Sequence, residues 1–452
     1  MTAPLSAFLR TCAARALAVV IVSVPLAWPA AATTIERVVS PSGIEAWLVR
    51  EPSVPLIAMN FAFRGGASQD PADKTGLANM VAGLIDEGAG DLDSRAFHER
   101  LEAKAIELGF NAGCDHFGGS VRTLTENKDE AFELLRLSLT APRFEAADID
   151  RVRNQVLSIL RREAMNPNDI AYKRWWETAF PSHPYGRSLR GTPDSVASIG
   201  SDDLKTYARD VFARDTLKIS IVGNIDAAGA GALIDKVFGT LPAKARLQPI
   251  ANADPQELGR RIVVDVDVPQ SVVVIGGSGI ARKDPDFMAA YIVNHILGGG
   301  SFSSRLYREV REVRGLAYSV YSSLVPLQHA ALFMSSTATR TDRAGQTLDV
   351  VEQEIRRIAA NGPTEDELVK AKSYLLGSYA LNFDTSSKIA GQLVAIQLDD
   401  LGIDYINKRN DLIGAVSMAD VKRVAKRLLD GGLLVTVVGR SPPVTPAKAQ
   451  GD

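Results

Sequence analysis

This chain of 452 residues has few of the side chains that carry redox or metal chemistry. Its cysteines are Cys12 and Cys114 alone, which excludes a disulfide framework. Its histidines are His98, His116, His183, His295 and His329, and none has another within five positions. Two imidazoles reach one metal from a helix only at i, i+3 or i, i+4 spacing, so no such pair exists. Charge of one sign is also missing: 51 basic side chains face 53 acidic ones, a net of −2, which excludes a nucleic-acid footprint. The triple glycine Gly298-Gly299-Gly300 has no Gly-Lys-Ser/Thr after it, so it is not a phosphate loop.

Long apolar runs are missing too, with one exception near the start. Arg10 and Arg15 precede the apolar residues 16–28, and Pro29-Ala30-Ala31-Ala32 follows. A charged start, a short hydrophobic stretch and a small-residue exit predict a secretory signal peptide over residues 1–32. The run falls short of the roughly 20 residues a spanning helix needs, and Cys12 lacks a lipidation context. The expectation is a periplasmic protein with no membrane anchor after signal cleavage. The remaining chain is too long for one ordinary core and predicts two or more domains.

What is present is a chain written twice. Asp70-Pro71 follows the alternating segment 56–63, and Asp284-Pro285 follows the apolar segment 271–275; the two pairs lie 214 apart. Each half closes alike. Residues 203–208 lead to Leu217-Lys218-Ile219-Ser220-Ile221-Val222-Gly223, and residues 420–425 lead to Leu433-Leu434-Val435-Thr436-Val437-Val438-Gly439. A period this long means duplicated domains and not a solenoid. Period-two segments such as 119–124 and 331–336 neighbour helical patterns over 144–164 and 364–382. The fold class expected is α+β, with two homologous lobes, each a largely antiparallel sheet packed with helices. The lobes span residues 33–242 and 260–452, joined by an exposed polar linker, residues 243–259, that contains Pro249 and Pro255.

After Asp70-Pro71, Leu77, Met80, Val81, Leu84 and Ile85 form the stripe of a core-packed helix over residues 76–86. Its other face carries Asn79, Ala82 and Gly83. Two similar α+β halves, with a strand, Arg64-Gly65-Gly66 and a helix opening Gly76-Leu77-Ala78, resemble the insulinase/pitrilysin peptidases, the inverzincins. Members carry His-x-x-Glu-His on this helix. Its histidines share one Zn²⁺, its glutamate activates the bound water, and a later helix adds a glutamate ligand. Matched position by position, the first histidine becomes Asn79, the glutamate Ala82 and the second histidine Gly83. The downstream ligand region falls near Ser158-Ile159-Leu160, with no carboxylate until Glu163. A zinc site needs N, S or O donors that can shed a proton, and alanine and glycine supply none. The expectation is no metal and no other cofactor in this chain.

The second half keeps the family's other motif. Gly298-Gly299-Gly300-Ser301 leads through Ser303-Ser304-Arg305-Leu306-Tyr307 to Arg311 and then Tyr318. In the family an Arg and a Tyr at this separation reach across to hydrogen-bond the substrate backbone and support the transition state. That role falls on Arg311 and Tyr318, and the resemblance assigns Gly298, Gly299, Gly300 and Ser301 to substrate binding. Positioned donors stabilise the negative charge a carbonyl oxygen gains as it becomes tetrahedral. Arg305, Arg308, Arg311 and Arg314 recur every third residue, so Arg308 and Arg314 read as solvated surface pairs with Glu309 or Glu312. The family contains heterodimers in which one subunit holds the metal and the other supplies this pair. The resemblance therefore implies a homologous zinc-bearing partner, a peptide substrate, and no activity alone. A peptide-binding or structural pseudo-peptidase without a proteolytic partner is the alternative. A separate hydrolase built on Cys114 and His116 lacks any third group to orient them. His98 reads as helix surface, and His183 as a structural loop residue.

Overall fold

The computed structural model describes residues 34–440. The signal-peptide segment, residues 1–32, lies outside the described residues. Eleven strands, β1 (Glu36–Val39), β2 (Glu45–Arg50), β3 (Leu56–Arg64), β4 (Glu107–Ala112), β5 (His116–Leu124), β6 (Leu217–Gly223), β7 (Arg261–Asp265), β8 (Gln270–Ser278), β9 (Ala317–Pro326), β10 (Ala331–Arg340) and β11 (Leu434–Gly439), form two sheets. The first runs β1-β2-β6-β3-β5-β4 and the second β7-β11-β8-β10-β9. Apart from β1, the two orders correspond strand for strand, so the repeat in the sequence is a repeat of topology. Both sheets are antiparallel except for one parallel pair each, β2 with β6 and β7 with β11. A parallel neighbour requires a long crossover, and the helices of each half provide it.

The helices that matter to the site are α1 (Leu77–Ala82), α2 (Ala146–Glu163), α3 (Pro167–Ala179), α4 (Phe287–Asn294), α5 (Glu365–Gly377) and α6 (Ser386–Leu398). Ends and starts follow local chemistry. Asn166 caps α3 through Asn168 N–H, with Pro167 opening the helix, and Thr364 with Glu367 closes a reciprocal box at the start of α5.

The central strands are apolar on both faces, and the reason is an exchange of helices. On β8, Val273 and Ile275 face the core built by the second half's own helices, while Val272 and Val274 face a separate core with Ala171, Trp175 and Ala179 of α3. On β6 and β2 the same alternation holds. Ile219, Ile221 and Leu48 join the first half's core, while Val222, Trp47 and Val49 pack on Ala390, Leu393 and Ile396 of α6. Thus α3 of the first half covers the second sheet, and α6 of the second half covers the first. Polar bonds fix both placements. Trp175 Nε1 donates to the Leu434 carbonyl at 3.0 Å, Gln397 Nε2 to Ile219 at 3.0 Å, and Ser220 Oγ to Ala390 at 2.6 Å. A Cβ at Gly276 would stand 2.3 Å from the Trp175 ring, so the absence of a side chain on β8 makes the slot for the indole. Trp175 is fully buried, and a burial of this size dominates local stability.

Residues 243–259 carry no regular structure and are mostly exposed, but they are pinned. Gln248 exchanges two hydrogen bonds with the Gln69 amide, Ala253 N–H donates to the His329 carbonyl at 2.8 Å, and Gln256 N–H to Ala179 at 2.8 Å. At the same junction Tyr185 donates to Asp115 at 2.7 Å, and Asp115 accepts from the Gln328 N–H at 3.0 Å.

Candidate functional site

The helix that would carry the metal motif is shorter than its apolar stripe predicts. It ends at Ala82, with Gly83 as its C-cap, and Leu84 and Ile85 enter the core from a turn. Asp70 holds its start. The carboxylate accepts from Gly76 N–H at 2.8 Å and Ala78 N–H at 3.0 Å, yet burial pushes its pKa up to about 7 against those donors. The face opposite the stripe meets α2. A Cβ at Gly83 would lie 3.3 Å from a Val152 methyl, and Ala82 packs in the same core as Val152, Val156, Leu157 and Leu160. The side chains present do not fit a zinc ion. An amide and a hydrogen stand where two imidazole ligands belong, and a methyl stands where the water-activating carboxylate belongs. Among the described residues, no three His, Cys, Asp or Glu side chains gather as a metal-holding group.

The other candidate residues gather at the far edge of the second sheet. After α4 the chain passes into a π-turn, His295–Gly299, in which Gly300 N–H bonds back to the His295 carbonyl at 2.8 Å. A second π-turn, Tyr307–Glu312, carries Arg311, with Val313 N–H bonded to Arg308 at 2.9 Å. Such turns widen a helix at a cost and concentrate at functional sites. Between them Ser301 is held at φ 47°, an uncommon conformation for a residue with a side chain. Gly298 is obligatory for packing. A Cβ there would be 2.7 Å from the Ser322 backbone nitrogen, so the loop lies directly against β9.

Arg311 and Tyr318 are in contact. The Arg311 guanidinium lies over the Tyr318 ring at 4.5 Å and over the Tyr307 ring at 4.8 Å, and it donates to the Tyr307 hydroxyl. Tyr318 is 80% exposed. It sits where the β9–β10 register slips, so that Tyr318 and Ser319 together face Ala338. A bulge of this kind re-aims a side chain next to a site. Sequence reasoning missed Tyr307; its position four residues before Arg311, one helical turn away, was the available signal.

Arg305 differs from its neighbours in the arginine row. It is no surface decoration: its side chain is buried and donates to Glu367 through two nitrogens at 2.6 Å each and to the Gly362 carbonyl at 3.3 Å. The Arg305 guanidinium and the Thr364 cap hold the Glu367 carboxyl down at about 2, against the burial that would raise it. Arg308 and Arg314 pair with Glu309 at 3.0 Å and 2.6 Å on the surface, as expected. His98 bonds the Ser94 carbonyl one helical turn back, and His183 bridges Tyr185 N–H and the Ala251 carbonyl, both structural uses. Cys114 lies in the β4–β5 turn, where burial pushes its thiol up to about 11, the opposite of an activated nucleophile.

The four sheet-end strands differ in chemistry. β1, β4 and β7 are short and carry Glu36 and Arg37, Glu107, or Arg261 and Asp265. β9 runs for ten residues, Ala-Tyr-Ser-Val-Tyr-Ser-Ser-Leu-Val-Pro, with no charge at all. Edge strands are usually protected by charge or brevity, and β9 has neither.

Known proteins place this arrangement. The sequence profile described as insulinase, peptidase family M16, matches residues 48–193, and the profile described as the peptidase M16 inactive domain matches residues 198–375. A Helicobacter pylori protein named as a non-peptidase homologue, YmxG, is 28% identical over 74% of this chain and 77% of its own length. An uncharacterized zinc protease of Streptomyces coelicolor, SCO5738, is 25% identical over 90% of each chain. The crystal structure of a peptidase M16 inactive domain from Pseudomonas fluorescens superposes with a TM-score of 0.85 at 27% identity, covering 90% of this chain and 99% of that one. With two matching profiles, the two-lobed fold and a motif helix stripped of its donors, this chain is an inactive member of the insulinase family of peptidases.

Proposed function

We propose that the chain is the non-catalytic, substrate-binding subunit of a periplasmic heterodimeric zinc metallopeptidase. Arg311 and Tyr318 act in trans, donating to the peptide backbone beside a metal held by a homologous chain with an intact His-x-x-Glu-His. The observation that carries this reading is the contrast between the two motifs. The zinc-motif positions hold Asn79, Ala82 and Gly83, with neither imidazole nor carboxylate, while Arg311 contacts two rings with Tyr318 largely in solvent. A pair kept poised in a chain without the metal motif can serve hydrolysis where another chain brings the metal. Export is supported by Arg10, Arg15 and the apolar residues 16–28.

A second reading has its own support in β9. A long uncharged edge accepts an extended peptide by main-chain hydrogen bonds with little sequence demand, which is sufficient for a peptide-binding pseudo-peptidase without a proteolytic partner. Gly298 lies against this strand, and the segment from Gly298 to Ser301 takes part in either reading.

The test is reconstitution. The mature chain is co-expressed with an exported homologue bearing His-x-x-Glu-His, and peptide cleavage is assayed with each chain alone and with both. The proposal expects cleavage only with both, abolished by a chelator and reduced about 100-fold by Arg311→Ala. Chelator-sensitive cleavage by this chain in isolation, or full activity of the Arg311→Ala complex, would end it. Peptide binding without any cleavage by the pair would favour the second reading.

A further inference from the structure

We propose that Tyr307 is a positioning residue of the peptide site, fixing the Arg311 guanidinium for a peptide oxygen. The inference rests on the reading that Arg311 contacts peptide. A solvated arginine samples many rotamers, and ordering it on binding costs affinity. Here that order is built in. Tyr307 is buried at the start of the π-turn, and its ring lies 4.8 Å beneath the guanidinium. Phe302, itself mostly exposed, meets the Tyr307 ring edge-to-face at 5.0 Å, and the burial of Tyr307 holds the ring in place. The hydroxyl accepts from one terminal nitrogen of Arg311, which selects a single orientation of the planar fork. Of the guanidinium's five N–H donors, this bond takes one.

Tyr318 cannot do this work alone. Its ring also meets the guanidinium, at 4.5 Å, but it is 80% exposed, with little around it to fix its own ring. Tyr307 is the fixed wall and Tyr318 the open one. A tyrosine that served only the core would lose nothing as phenylalanine, because a purely apolar role needs no hydroxyl. The partner of this hydroxyl is Arg311.

The experiment measures binding of a fluorescein-labelled ten-residue peptide of alanine, valine, threonine and serine to the mature chain by anisotropy. The proteins compared are wild type, Tyr307→Phe, Tyr307→Leu, Arg311→Ala and the Tyr307→Phe/Arg311→Ala double variant, with thermal unfolding of each. The expected result is about fivefold weaker binding for Tyr307→Phe. Tyr307→Leu is weaker still, because it also removes the ring beneath the guanidinium. The double variant binds no worse than Arg311→Ala, because the hydroxyl acts through the guanidinium. Wild-type affinity in Tyr307→Phe, or losses that add in the double variant, would overturn the role of Tyr307 while leaving Arg311 in place. Absent binding by wild type, or unchanged binding by Arg311→Ala, overturns the site itself and this inference with it.

Discussion

The two halves share a topology and have opposite fates at the corresponding ends of their sheets. In the first half, the short α1 and its C-cap carry Asn79, Ala82 and Gly83, half-buried or exposed, with Val152 of α2 beside Gly83. In the second, two π-turns and a β-bulge hold Arg311 and Tyr318 at the surface beside an uncharged edge. The first region offers neither imidazole nor carboxylate at its motif positions. The second retains costly backbone, including Ser301 at positive φ. On the proposed function, this strained segment beside exposed aromatic side chains is the region that meets peptide.

The comparison can be broken at the core the halves share. Trp175→Ala is expected to cost about 3–5 kcal/mol, because it empties the slot at Gly276 and leaves the Leu434 carbonyl without its donor. A urea midpoint unchanged from wild type would show that the exchanged helix contributes little. Next in size is the anchor of the retained motif. Glu367→Gln is expected to cost about 2–3 kcal/mol at pH 7, since Arg305 stays buried with its charge uncompensated. The sign with pH follows from the lowered pKa. The carboxylate's contribution is complete above about 4.5 and is lost as pH falls toward about 2. The gap between wild type and Glu367→Gln should therefore narrow between pH 5 and pH 3; a gap that widens would contradict the assignment.

The lost site offers a sharper probe. The triple change Asn79→His, Ala82→Glu, Gly83→His restores the motif letters but not the downstream carboxylate, and the new side chain at 83 meets Val152 at its base. It is expected to bind less than stoichiometric zinc by atomic absorption and to lose about 1–3 kcal/mol from overpacking. One tightly held zinc per chain would mean that the three substituted residues alone account for the lost site. The smallest effect belongs to the surface of the retained segment. Arg314→Ala breaks an exposed pair with Glu309 and should cost about 0.5 kcal/mol or less, with peptide affinity unchanged.

Much of the fold and half of the site are legible in the order of the residues. The offset between Asp70-Pro71 and Asp284-Pro285 announces two copies of one topology, because duplicated folding units keep their spacing. The missing donors at Asn79, Ala82 and Gly83 are equally plain, since coordination chemistry depends on residue type before it depends on geometry. Less legible are positions set by contacts distant along the chain. Arg305 resembles its exposed neighbours in every local respect, and only Glu367, 62 residues on, sets it apart. The motif helix stops at Ala82 although its apolar stripe continues, because Leu84 and Ile85 reach the same core from a turn.

The chain alone thus determined its duplication, its lack of metal donors and the presence of Arg311 and Tyr318, all properties of residue identity and spacing. Only the tertiary structure decided that α3 and α6 cross to the opposite sheets, that Tyr307 grips Arg311, and that β9 is the uncharged end of its sheet. Those outcomes depend on which surfaces meet in space. An apolar run such as Val272 to Ile275 records that both faces are covered, but not by what.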